Sequence, residues 1–271
     1  MYKTVLIPIE SNDRSNPVEK AALEVGNIFS SHIIGLRVIP TTQSLQGVVE
    51  PHYLSSEIYD QILKNQAEEV EREQASFINT FENTGLGYEW IVEEGDFLQF
   101  LKQHARTSDL AIMPQGDDDI GSVMGDIPAF ILTCGIPTLA VPTERREKSF
   151  AQNIFVAWNG GRESIRAVHA AMPFLQRADS VTVLSVCEEK KDEVNTADIC
   201  KNLARHDVNV RGMTEALHFD PGARLLEICL EQKADLIVSG AWAHTRLAEL
   251  VYGGTTKTFF NNQQIPVLLA H

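Results

Sequence analysis

The sequence lacks the features that several protein classes require. Its 271 residues include only four cysteines and no C-x-x-C pair, which excludes the common zinc-finger and thioredoxin-like patterns. No apolar run approaches the roughly 18 residues of a membrane-spanning helix, and the first residues show no signal-peptide pattern. We therefore expect a cytoplasmic protein with no membrane partner. Its cysteines are predicted to be buried, reduced thiols: Cys134, Cys187, Cys200 and Cys229.

Basic residues are scarce as well. The chain has 37 acidic side chains against 23 basic ones, which gives a formal net charge of −14. A charge of this sign repels phosphate backbones and anionic membrane surfaces at long range. We expect no nucleic-acid partner.

Catalytic signatures are also missing. The sequence contains no G-x-S-x-G elbow, no H-E-x-x-H pair and no G-x-x-x-x-G-K-[ST] phosphate loop. It presents no candidate acid, base or nucleophile. We predict no catalytic residues and no metal ligands.

What the chain does contain is an alternation of short apolar runs with helical patterns, typical of βα units and a mostly parallel sheet. Ten such runs occur, five in each half of the chain. We predict an α/β protein with two tandem domains, each an open five-stranded, mostly parallel sheet flanked by helices. The predicted strands begin at Thr4, Ile33, Tyr88, Leu110 and Pro137 in the first half and at Ile154, Val181, Val208, Leu236 and Pro266 in the second.

The two halves of the sequence repeat one another. SDLAIMP, from Ser108, resembles ADLIVSG, from Ala234, and GIPTLAVP, from Gly135, resembles QIPVLLAH, from Gln264. The spacing between equivalent positions is larger near the start of each half. The first half therefore holds extra residues between its second and third strands.

A long polar helix from Ser55 to about Asn83 is predicted within this extra segment, and most of it should be solvated. A charged run without apolar residues, 143–149, follows the last strand of the first half. We place the domain boundary there. The predicted domains are 1–148 and 149–271.

A glycine pattern follows the fourth strand of the second half. It reads Gly240, two residues, Ala243, nine residues, and then Gly253, Gly254 and Thr255 before the last helix and strand. In position, spacing and duplication it resembles the signature of the universal stress protein family, in which two glycines are followed by Gly and Ser or Thr. The chain therefore looks like a tandem universal stress protein.

This resemblance implies an adenine-nucleotide pocket, as in the family members that bind ATP. The expected cofactor is ATP, bound together with Mg²⁺. Phosphates would lie on the glycine-rich loop, and adenine against the ends of the first and second strands. Ala243 and Gly254 depart from the pattern, because the family has a glycine and a hydroxyl residue there. The matching positions are Asn159, where an aspartate usually stands, Val186, Gly240, Ala243, Gly253, Gly254 and Thr255.

The corresponding loop of the first half is acidic. It contains the run Asp117–Asp119, and Asp126 follows Gly125 where the family has a hydroxyl residue. Carboxylates at that place would repel a triphosphate. The net charge is −12 up to Lys148 and −2 after it, so we predict the nucleotide site in the second half alone. The aspartate run lacks the alternate spacing of a calcium loop.

Three functions remain open at this stage. The first is a stress-response protein, at most a weak ATPase, whose second domain senses or holds an adenine nucleotide. The second is an interaction protein of the same fold that binds no nucleotide, and the third is an adenylate-using enzyme such as a ligase. The final strands of the two domains, Ile136–Val141 and Ile265–Leu269, are predicted to pair within one chain. Further pairing of chains into a homodimer is left open.

Overall fold

The structure of the protein is a computed structural model. It describes residues 1–9, 15–41, 56–116, 127–145, 148–187, 196–216, 220–241 and 254–271. These residues fall into two units, Tyr2–Ile112 and Met113–His271, and the second also includes Met1. The predicted domain boundary near Lys148 follows from the sequence repeat and not from these units. It stays a prediction.

The unit Tyr2–Ile112 contains a parallel sheet in the strand order β3-β2-β1-β4. Residues of β1 such as Val5, Leu6 and Ile7 are completely buried, because a parallel sheet is covered on both faces. The elements are β1 (Thr4–Pro8), α1 (Ser15–Phe29), β2 (His32–Ile39), α2 (Ser56–Phe81), β3 (Tyr88–Glu94), α3 (Phe97–Ala105) and β4 (Leu110–Pro114), whose last two residues belong to the second unit.

The second unit contains strands in the order β5-β10-β9-β6-β7-β8. The pairs from β10 to β8 are parallel, whereas β5 and β10 are antiparallel, with Leu139 opposite Leu268. The elements are α4 (Ile127–Thr133), β5 (Thr138–Val141), β6 (Asn153–Ala157), α5 (Arg162–Leu175), β7 (Ser180–Cys187), α6 (Thr196–Ala204), β8 (Val210–Ala216), α7 (Pro221–Glu231), β9 (Leu236–Gly240), α8 (Gly254–Phe260) and β10 (Val267–Ala270).

The fold class predicted from the sequence is confirmed. All ten predicted strands are present, and their ends differ from the prediction by a few residues. The predicted polar helix is α2. The strands were found reliably because each is a short, continuous apolar run that the fold buries completely.

Helix α2 belongs to the first unit through its C-terminal half. Phe77 is fully buried, and its ring lies 5.5 Å from that of Trp90 on β3. Gly35 on β2 makes room for it, since a Cβ atom there would lie 2.6 Å from the Phe77 ring. Glu73, one helical turn before Phe77 on α2, accepts a hydrogen bond of 2.7 Å from Nε of Arg37 on β2. The N-terminal half of α2 is largely exposed, as expected for a solvated helix.

A carboxylate holds the first strand of the first repeat beside the fourth. Asp109 immediately precedes β4, and its Oδ2 accepts hydrogen bonds from the backbone N–H groups of Lys3 (2.7 Å) and Thr4 (2.9 Å). The N–H of Asp109 in turn donates to the Thr4 carbonyl (2.9 Å). The start of β1 is thereby fixed to the start of β4.

The second repeat contains the same arrangement. Asp235 precedes β9, and its carboxylate accepts the N–H groups of Gln152 and Asn153 at 2.9 to 3.0 Å. The N–H of Asp235 donates to the Asn153 carbonyl (3.1 Å). The Asp-Leu pair of the sequence repeat therefore has one structural role in both halves. The difference is burial, because Asp109 is exposed whereas Asp235 is only 2% exposed.

This difference predicts unequal effects of the same substitution. Asp235→Ala removes the acceptor of two N–H groups in a buried setting, and we expect it to lower the free energy of unfolding by about 2–4 kcal/mol. In Asp109→Ala water can replace the exposed carboxylate as the acceptor. We therefore expect the free energy of unfolding to fall by only about 1 kcal/mol. Urea unfolding monitored by circular dichroism measures both. Equal losses for the two variants would contradict this account.

Candidate functional site

The sheet of the second unit has a switch point at β6. The chain continues from β6 to β7 on one side, and β9 lies on the other side. In open parallel sheets, ligands bind beyond the carboxyl ends of the strands at such a point. The candidate site is therefore formed by the residues that end β6, β7 and β9.

Three of the predicted site residues lie at these strand ends. The N–H of Trp158 donates to the Leu184 carbonyl of β7 (2.9 Å), so Asn159 comes directly after the last contact between β6 and β7. Val186 is half-buried near the end of β7, and Gly240 is the last residue of β9. Because neighbouring strands are about 4.8 Å apart, the three residues form one row along the edge of the sheet.

Asn159 is held in place by the loop that it opens. Its Oδ1 accepts the N–H of Gly161 at 2.9 Å, and Gly160 has φ = 71°, a conformation that favours glycine. Helix α5 begins at Arg162, directly after Gly161. Asn159 is exposed, and its Nδ2 group has no acceptor among the described residues. The amide can therefore donate to a molecule bound at the strand ends.

Gly240 is packed tightly against the first turn of α5. A Cβ atom at this position would lie 2.7 Å from the Cβ and the carbonyl carbon of Glu163, and 2.7 Å from the backbone nitrogen of Ser164. Two of these three atoms are backbone and cannot turn away. Glycine is thus required here by packing, whether or not a ligand binds.

Glu163 places a buried carboxylate beside Gly240. The residue is 5% exposed, and its Oε1 accepts hydrogen bonds from Nε (2.9 Å) and Nη2 (2.8 Å) of Arg162. Burial alone would raise the pKa of Glu163, but its own backbone N–H, Arg162 and nearby His271 outweigh burial and lower the pKa. His271 also hydrogen-bonds the Ala241 carbonyl through Nδ1 (2.9 Å). The carboxylate is therefore ionised at neutral pH.

The start of α8 contacts Gly240 through a threonine. The hydroxyl of Thr256, a residue that is 5% exposed, donates to the Gly240 carbonyl at 3.4 Å. Thr255 packs instead against α7, because a Cβ atom added to Gly222 of that helix would lie 2.7 Å from the Thr255 Cα. Gly254 begins the helix. Thr256 thus joins α8 to the end of β9.

The far end of α8 is fixed by a residue of the first repeat. Gln115 follows β4 and is 2% exposed, and its Nε2 donates to the carbonyls of Phe259 (2.9 Å) and Ile265 (3.1 Å). Asn262 donates to the same two carbonyls. The last carbonyls of a helix lack partners within it. Gln115 and Asn262 therefore cap α8.

The structure brings some of the predicted site residues together and leaves others undescribed. Asn159, Val186 and Gly240 share the edge of the sheet, and Gly254 and Thr255 are joined to it through Thr256. Their role toward a ligand stays a prediction. The positions that lie outside the described residues are Ala243, Gly253, Gly125, Asp126 and Asp117–Asp119.

Two neighbours of the site, Glu163 and Gln115, were not found from the sequence. Glu163 is part of the G-R-E-S stretch that opens a helix after β6, but an acidic residue in a first helical turn is common and gives no sign of burial. Gln115 has its partners about 150 positions along the chain, and no local signal indicates such a contact.

Metal-ligand clusters and reactive cysteines are scarce among the described residues. No group of three or more His, Cys, Asp and Glu could hold a metal ion there, and no helix in that part of the chain is long and apolar enough to cross a membrane. Cys134, Cys200 and Cys229 are not in disulfides. Cys229 is buried as predicted, and burial raises its pKa to about 12. Cys134 and Cys200 are only half-buried.

Comparison with solved structures identifies the fold. A universal stress protein from Archaeoglobus fulgidus DSM 4304 has a TM-score of 0.77 at 16% identity, covering 98% of this chain and 95% of its own. A functionally unknown protein from Pseudomonas aeruginosa PAO1 scores 0.62 at 16% identity, over 99% and 92% of the two chains. No protein-family model and no curated protein matches the chain. The chain has the universal stress protein fold, as the glycine pattern predicted.

The packing of Gly240 predicts a loss of stability on substitution. In Gly240→Ala the methyl group meets the backbone of α5, so we expect the free energy of unfolding to fall by about 1–3 kcal/mol. Gly87→Ala is the matched control, because its methyl would meet only the side chain of His32, which can turn. In this control the free energy of unfolding should fall by less than about 1 kcal/mol. A Gly240→Ala protein as stable as the wild type in urea would show that the contact is not close.

The cap on α8 predicts a local effect. Gln115→Leu keeps the volume but removes both hydrogen bonds, so amide exchange in 254–260 should speed up about tenfold, for a loss of about 1–2 kcal/mol. Hydrogen–deuterium exchange followed by mass spectrometry measures it. Asn261→Gln, an exposed change next to α8, serves as the control. Unchanged exchange in Gln115→Leu would mean that Asn262 caps the helix alone.

Proposed function

We propose that this protein is a stress-response protein whose second repeat holds an adenine nucleotide as a sensor or regulator. The observation that carries the proposal is the position of Asn159, Val186 and Gly240 at neighbouring carboxyl ends on the switch point of the sheet. This is where open α/β sheets bind ligands. The universal stress protein fold supports the same conclusion.

Each of these residues suits one part of an adenosine. The Nδ2 group of Asn159 can donate to a ribose hydroxyl, although an amide binds it more weakly than a charged carboxylate would. Val186 offers a half-buried apolar surface to the base. The glycines 240, 253 and 254, with Ala243 and Thr255, would lie along the phosphates. The adenosine end of the site therefore fits better than the phosphate end, where a carboxylate lies beside Gly240.

The net charge of the two halves favours the second repeat. An anionic ligand meets a net charge of −2 there, against −12 before the boundary near Lys148. Arg162 on α5 carries an exposed guanidinium close to Asn159 in the chain, but its Nε and Nη2 atoms are paired with Glu163. The ligand with the complete triphosphate and its metal ion, ATP with Mg²⁺, is among those to test.

The direct test is to look for a bound nucleotide and then to measure binding. Purified protein is denatured and the released ATP, ADP or AMP is identified by mass spectrometry, after which AMP, and ATP with and without Mg²⁺, are titrated by calorimetry. Asn159→Ala should weaken binding about tenfold, since one hydrogen bond to the ligand is worth about 1.4 kcal/mol. Asn202→Ala, at an exposed position on α6, is the control and should bind as the wild type does.

One observation favours a second candidate, an interaction protein of this fold that binds no nucleotide. The need for glycine at 240 follows from the contact with α5, so this glycine is not by itself evidence of a phosphate. Neither released nucleotide nor saturable binding would support the second candidate. Turnover of ATP at ordinary enzyme rates would instead indicate an adenylate-using enzyme.

We also propose that the two repeats associate through their final strands. The antiparallel ladder between β5 and β10, in which Leu139 lies opposite Leu268, supports this. Association of whole chains into a homodimer is a separate question, which light scattering of the purified protein can answer.

A further inference from the structure

Glu163 stands out among the buried ionisable groups of the second unit. It lies in the first turn of the 14-residue helix α5, it is 5% exposed, and its backbone is in close contact with Gly240 at the end of β9. Gly240 is the first glycine of the proposed phosphate-binding pattern. A negatively charged residue therefore packs against the position at which the phosphate chain of a nucleotide would begin.

The carboxylate also uses the groups that would otherwise attract a phosphate. The N–H groups of a helix's first turn favour an anion, and in α5 the carboxylate of Glu163 interacts with its own N–H. Both donors of the Arg162 side chain that reach into this turn go to Glu163 Oε1, at 2.8 and 2.9 Å. The protein thus supplies its own anion to the positive end of α5.

A third group nearby is engaged as well. Thr256 is the hydroxyl that α8 brings to Gly240, and it donates to the Gly240 carbonyl. Asn159, by contrast, keeps a donor without an acceptor among the described residues. Among the described residues, the amide of Asn159 is available to a ribose, whereas Arg162 and Thr256 near Gly240 are already paired.

We infer that the site takes an adenosine-type ligand with at most one phosphate, and that Glu163 sets this limit by excluding the β- and γ-phosphates of ADP and ATP. The inference rests on the proposed function, since it concerns the same site. It narrows the ligand class from adenine nucleotides in general to adenosine and its monophosphate. Glu163 is here a specificity-determining residue.

The test is a calorimetric series with adenosine, AMP, ADP and ATP. For the wild type we expect adenosine and AMP to bind and the affinity to fall with each further phosphate. In Glu163→Gln the ratio of the ATP to the AMP dissociation constant, measured without Mg²⁺, should drop by roughly 300-fold. ATP carries about two more negative charges than AMP, and each repulsion over about 10 Å at an effective dielectric constant of about 20 changes the affinity by a factor of about 16. Glu163→Asp keeps the charge and should keep the wild-type ratio.

Two controls separate charge from structure. Glu227→Gln removes a carboxylate on α7 that is 57% exposed, and it should leave the ratio unchanged. The salt dependence of binding can be measured on the wild type alone. Raising the ionic strength from about 0.05 to 0.5 M should bring the dissociation constants of ATP and AMP closer together, because screening weakens charge repulsion.

The outcomes distinguish the inference from the proposal on which it rests. Tightest binding of ATP by the wild type, or an unchanged ratio in folded Glu163→Gln, would overturn the inference while leaving nucleotide binding in place. If none of the four ligands binds either protein, the proposed function itself fails. If Glu163→Gln does not fold, the wild-type order of affinities and its salt dependence still decide the inference.

Discussion

The hydrogen bonds of one aspartate in each repeat align the first strand with the fourth, and the rest of the fold depends on this alignment. Asp109 and Asp235 fix the start of the first strand beside the start of the fourth. Because these two strands run in parallel, fixing their starts also sets how their carboxyl ends line up. In the second repeat those ends belong to β6 and β9, and the row of Asn159, Val186 and Gly240 follows from that alignment.

The close approach of α5 to β9 is the next consequence of this alignment. With β6 beside β9, the helix that follows β6 must pass directly over the end of β9, and a side chain at position 240 would block it. Glycine is therefore explained first by the fold. A glycine pattern shared between proteins of this fold can persist for packing alone, so it is weaker evidence for a phosphate site than its spacing suggests.

The sequence predicted the parts of this protein that depend on local pattern. The ten strands and the long helix α2 were found because burial of short apolar runs, and solvation of a polar helix, are both visible over a few residues. Glu163 and Gln115 were missed for the opposite reason. Their surroundings are made by residues of other elements, such as Gly240 on β9 and the Phe259 carbonyl on α8, and neither contact has a signal in the neighbouring sequence.

Charge in this protein has to be considered at two scales. The whole second half is nearly neutral, with a net charge of −2, and this even balance favoured an anionic ligand there. At the site itself the balance differs, because two positive groups among the described residues, Arg162 and the first turn of α5, are already paired with Glu163. Coulomb energy rises steeply at short distance and in a buried setting. The carboxylate of Glu163 would therefore affect a phosphate near Gly240 more strongly than the distant surface charges do, which is the basis for inferring a preference for the uncharged part of a nucleotide.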